Sequence, residues 1–278
     1  MIIAGLKKEL MLVSRGFRFW GLLILAIGIA IAYPGLYKFI EVMAEAASQM
    51  GAGAGAEAAD SLKNMVNELT TLYGGEMIKA GYYTGILAFS AEGFLVISLL
   101  LMATAGGEQK KRSVIMPNCA GLTPAGYVLP KFILYPLLTG VLTFAGAQLT
   151  AVFSGLMFKG TLPMDVICFS GGCISFYVMF MTAVFFLFGI ATGRPGIGVV
   201  VMFLVSSLLP TLLQAFGLDY GTPFTLRDMF MTTMDKVDMG NFWVSVAVTI
   251  TLIVICCLLT LVITTVRKID NSEGEANL

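Results

Sequence analysis

Glu92 stands in Phe-Ser-Ala-Glu-Gly-Phe, in the middle of a long apolar run. A charged carboxylate at the centre of a bilayer costs about 2.5–3.5 kcal/mol on insertion scales, so it is expected to face a bundle interior or to be protonated. Two chemistries follow. Either Glu92 lines a translocation path and takes a cation or proton, or it is a protonated acid bonded to Gln148, Gln214 or a hydroxyl. Gln148 and Gln214 lie in apolar runs of their own, where a helix–helix hydrogen bond is worth around 1 kcal/mol. With Glu92 they are the candidate lining of a path. Little else is equipped for chemistry. Histidine is absent, which removes the commonest general base and the usual zinc ligand. The apolar runs hold no paired carboxylates and no nucleophile–base pair, so an intramembrane enzyme is disfavoured. No Gly-x-x-x-x-Gly-Lys-Ser/Thr occurs, so the chain has no phosphate-binding loop of that kind and any nucleotide must be bound by a partner.

The elements that carry these residues follow from composition. Of 278 residues, 58% are hydrophobic and 12% charged, against roughly 25% charged in soluble domains. A membrane span needs about 20 mostly apolar residues, with its backbone satisfied inside a helix or closed barrel. Barrel strands would alternate over about 10 residues; the runs here are longer and apolar all round. The expected fold is therefore all-α and membrane-integral, with six spans near Phe17–Tyr33, Tyr82–Ala105, Leu129–Phe153, Val166–Thr192, Ile197–Phe216 and Phe242–Val266. Pro34 and Gly35 are expected to close the first span, Gly106 and Gly107 the second. Arg194, Pro195 and Gly196 read as a tight turn between the fourth and fifth. Gly81/Gly85 and Gly189/Gly193 fit small-xxx-small helix packing.

Basic residues set orientation. With the N-terminus inside, eleven Lys and Arg fall on inner segments and six on outer ones, so both termini are expected to be cytoplasmic. The N-terminal segment has no clear cleavage site before Tyr33 and reads as retained. Over residues 1–16, Ile3, Leu6, Leu10 and Val13 repeat at helical spacing, continuing to Phe17, with Lys7, Lys8 and Arg15 off the stripe. That pattern suits an amphipathic helix on the inner membrane surface. The outer segments, 34–81 and 217–241, read as a partly helical cap around the low-complexity Gly51–Ala59 stretch, and as short interfacial helices or a surface loop. Net charge is +0, without the basic footprint of a nucleic-acid binder. Of five cysteines, Cys168, Cys173, Cys256 and Cys257 lie in apolar runs and imply no disulfide framework.

The inner segment 106–128 carries the most information. It runs Glu108-Gln-Lys-Lys111-Arg112-Ser-Val-Ile-Met-Pro117-Asn118 and, past Thr123-Pro124, reaches Lys131. Thr123 followed by Pro124 is a helix start, a side-chain cap and then an N1 proline. This stretch resembles the signature of the permease subunits of type-2 ATP-binding-cassette exporters: a leading Glu, basic residues, a Gly-Thr-like pair, a Pro/Ser turn, a short helix, and a Lys opening span three. Glu108 matches the leading acid, Arg112 and Ser113 the pair, Thr123 and Pro124 the turn, Lys131 the closing lysine. Arg112 departs from the small Gly, Pro117 interrupts the first helical stretch, and Gly126 weakens the second.

The resemblance, which covers essentially the whole chain, implies a permease without its own ATPase. A short cytosolic coupling helix headed by Thr123 would seat on a separate ATPase, with Glu108, Lys111, Arg112, Asn118, Thr123, Pro124 and Lys131 as the coupling residues. ATP and magnesium would be held by that partner, and this chain would bind no cofactor. A second six-span permease, identical or related, would complete the path in the plasma membrane for a drug, peptide or other amphiphile. The alternative from another class is an ATP-independent carrier or channel using Glu92; it predicts internal repeats with broken helices in both halves, and no such self-similarity is visible. A bacteriocin-immunity protein, itself a transporter of the first kind, is a further reading.

Overall fold

A computed structural model of the chain describes residues 2–49, 75–107, 123–217, 220–232 and 239–275, with scattered residues between 61 and 73. Every regular element among them is helical, and six helices are long and apolar enough to cross a membrane. Their spans are Phe17–Ala46, Met77–Leu101, Pro124–Phe158, Met164–Thr192, Pro195–Ala215 and Met239–Val266. A further helix, α1 (Ile2–Arg15), precedes them, and another, Pro223–Thr232, lies between spans five and six.

Span four is the central pole. In its most apolar window 83% of residues are buried, against 11% in span five. Hydroxyls tie its neighbours to it: Tyr82 of span two meets Ser170 at 2.7 Å, and Thr139 of span three meets Thr182 at 3.1 Å. Glycines set the closest approaches. A Cβ at Gly85 would lie 2.6 Å from Thr150 of span three, and one at Gly189 would lie 2.5 Å from the Ala105 carbonyl oxygen. Gly81 packs beside Phe158 and Pro34. Gly193, expected as a packing residue, instead ends span four in the left-handed conformation at φ 66°, where glycine has no steric penalty.

Two boundaries and the interior of one span differ from the sequence reading. Pro34 and Gly35 do not end span one; its helix runs from Phe17 through Pro34 to Gln49. Proline is tolerated inside membrane helices because neighbours re-satisfy the freed backbone groups, and Pro34 is buried against span two at Gly81. Span two is not uniform: it contains wide π-turns at Phe89–Gly93 and Ala103–Gly107. Thr123 does head a helix, but not a short separate one. Its side chain accepts the Gly126 N–H at 3.2 Å, and the helix it caps continues unbroken from Pro124 to Phe158 through Pro130 and Pro136. The cap chemistry and the start position stand; the coupling helix as a distinct element opening at Thr123 does not.

The segment between spans five and six contains the helix Pro223–Thr232. Phe224, Leu226 and Met229 are buried, and Phe224 packs edge-on against Tyr177 and Phe180, with ring centroids 6.1 Å away in each case. Tyr177 lies midway along span four, so this helix reaches well below the outer ends of the spans. Gly51–Ala59 falls outside the described residues.

Candidate functional site

The acid that the sequence singled out sits on the π-turn of span two. Glu92 is equidistant from Met77 and Gly107, the two ends of that helical stretch. Ser90 donates back to the Leu87 carbonyl at 2.7 Å, and Phe89 is pinned by span three: a Cβ at Gly146 would lie 2.5 Å from its ring. The widened turn keeps Phe89, Ser90 and Gly93 inside and turns Ala91 and Glu92 outward. Isolated π-turns of this kind recur at functional sites. The expectation that Glu92 faces the interior of its own bundle is therefore corrected. It is exposed on the surface of the single chain, and no Lys or Arg among the described residues forms an ion pair with it. Its neighbour is the Tyr33 hydroxyl of span one, a residue the sequence reading did not select.

The other two members of the expected path are elsewhere. Gln148 of span three donates to the Ile167 carbonyl of span four at 3.4 Å, the helix–helix role. Gln214 is exposed near the outer end of span five. Glu92, Gln148 and Gln214 do not converge, because each lies on a different helix with its amide or acid turned to a different neighbour. The outward region around Glu92 instead belongs to spans one and two, with Tyr33 of span one beside the acid. Phe94, two residues on, packs against Phe203 of span five with centroids 5.5 Å apart.

Of the coupling residues, Glu108, Lys111, Arg112 and Asn118 lie outside the described residues. Thr123 is exposed at the start of span three, and Pro124 follows at N1, half-buried. Lys131 is different. It is fully buried, its ammonium 3.0 Å from Glu9 Oε1 of α1 and 4.9 Å above the Tyr127 ring. The other Glu9 oxygen accepts a hydrogen bond from the Tyr135 hydroxyl at 2.9 Å. Lys131 thus meets α1 and offers nothing to the protein surface. Glu9 was missed by sequence, although a signal existed: Gly5, Glu9 and Val13 recur every four residues, and all three are buried. The apolar residues Ile3, Leu10 and Phe17 of the expected stripe are exposed, which leaves them free for lipid.

In the helix between spans five and six, Arg227 pairs with Asp228 at 2.8 Å and lies against Tyr177. Burial works against its charge, but the Asp228 carboxylate together with Tyr177 raises its pKa above the ordinary arginine value.

No family model matches this chain, and neither a curated protein nor a solved structure matches it. Fold and hydropathy define its class without help from relatives: an all-helical, six-span, multi-pass membrane protein.

Proposed function

We propose that the chain is the membrane permease half of an ATP-driven exporter in the plasma membrane, with both termini cytoplasmic and its ATPase a separate polypeptide. Glu92 carries the reading. An unpaired carboxylate exposed at the midpoint of a span is poorly suited to lipid, and such groups normally face a water-filled cavity or a partner. A second copy or a related half, placed over spans one, two and five, would enclose Glu92 in a path between the halves. Span five, scarcely buried by its own chain, leaves room for that partner. The resemblance of 108–131 to the exporter signature supplies the motor, and the lack of a phosphate-binding loop agrees with a motor in trans.

Purification of the full chain from its native membranes in mild detergent tests the assembly. A stoichiometric P-loop ATPase and a second six-span subunit are expected. Transport of a cationic amphiphile into inside-out vesicles should require ATP and be abolished in Glu92→Gln at unchanged expression. Transport by the isolated chain in ATP-free liposomes would move the assignment to a secondary carrier.

A further inference from the structure

We infer that Glu9 is a positioning residue that fastens α1 to the inner end of span three, with Arg18 of span one brought to the same point, so that these parts move as one joint. Both carboxylate oxygens are used, one by Lys131 at 3.0 Å and the other by Tyr135 at 2.9 Å. Arg18, just past the start of span one, lies near the same Tyr135 hydroxyl, with one guanidinium nitrogen buried and lacking a hydrogen-bond partner. One buried carboxylate therefore stands where three elements meet.

The backbone makes the same connection independently. Pro130 lacks the N–H that would bond the Gly126 carbonyl four residues back, and that carbonyl faces α1. A Cβ at Gly5 would run into Gly126 O and Pro130, so only glycine lets the two helices come this close. Gly5, Glu9 and Val13 form the face of α1 that meets span three, while Lys7, Lys8 and Arg15 are exposed. Glu9 is thus the only charged residue on the protein-facing side of α1.

Covalently, α1 belongs to span one, from which it is separated only by the bend at Gly16. By packing it belongs to span three. Thr123, where the inner segment enters span three, lies about two helical turns before Lys131. A displacement delivered at Thr123 must carry α1 with it and, through the short Gly16 tether and Arg18, pull on span one. Buried ion pairs add little net stability compared with apolar residues of the same volume, and their best-attested use is to fix one register; that is the use assigned to Glu9. The joint does not depend on the exporter assignment.

Amide hydrogen exchange on the full-length chain in detergent, without substrate or nucleotide, tests it. In Glu9→Gln the amides between Gly5 and Arg15 should exchange at least tenfold faster, with span four unchanged, and the swap Glu9→Lys with Lys131→Glu should recover much of the protection. Tyr135→Phe, which removes one hydrogen bond and no charge, keeps the test usable should Glu9→Gln not fold; a smaller rise of about threefold confined to α1 is expected. Unchanged exchange in α1, a rise spread equally over span four, or a swap no better than the worse single variant would each overturn the inference.

Discussion

Two glutamates of this chain have opposite surroundings. Glu9 stands on a short amphipathic helix, where the sequence reading assigns it no role, and is buried with both oxygens occupied. Glu92 begins inside an apolar run, where sequence assigns it to a protein interior, and ends exposed beside a single tyrosine. The contrast separates architecture from candidate function. A buried acid with every partner in place has nothing left to offer a ligand. An acid at mid-span with no ion-pair partner among the described residues still has its carboxyl group to offer, provided that something other than lipid covers it.

Stability and transport should respond to the two acids in opposite ways. The largest stability effect is expected from Glu9→Leu, which strands the Lys131 ammonium in the protein: a loss of about 3–5 kcal/mol, read by thermal unfolding in detergent. Adding Lys131→Met should restore most of it, because an apolar pair of similar volume is often neutral. Equal losses in the single and double variants would remove the pairing. Next comes Gly146→Val, whose new side chain would collide with the Phe89 ring and disturb the π-turn beneath Glu92; about 1–3 kcal/mol should be lost through overpacking. If unfolding is unaffected, Phe89 does not hold that turn. Thr123→Ala removes the cap at the entry to span three and should cost about 1 kcal/mol, with faster amide exchange confined to the first turn after Pro124. The smallest change in stability belongs to Glu92→Gln, expected within about 0.5 kcal/mol of the parent as for exposed sites generally, while transport is lost. A strongly destabilised Glu92→Gln would erase the distinction between the two acids.

Much of the scaffold was legible in the chain. The six apolar runs correspond to the six spans, and the Thr123–Pro124 start and the amphipathic α1 also appear where local pattern puts them. Misreadings arose where a local signal was overruled by packing. Pro34-Gly35 is ordinary stop chemistry, but span one carries it buried against Gly81. Thr123-Pro124 is ordinary start chemistry, but nothing between Pro130 and Pro136 interrupts the helix, so the segment merges with span three. Lys131 was expected to meet an ATPase because the resemblance makes it a coupling residue, although Tyr127, Val128, Phe132 and Tyr135 around it were a hint of burial.

Class and span number are determined by sequence alone because they rest on short-range quantities: the length of an apolar run and the need to satisfy every backbone group within its own helix. Which acid is enclosed and which is presented is decided only by tertiary structure. That outcome depends on how the faces of helices more than a hundred residues apart come together, as Glu9 meets Tyr135, and on a π-turn that rotates Glu92 out of its bundle.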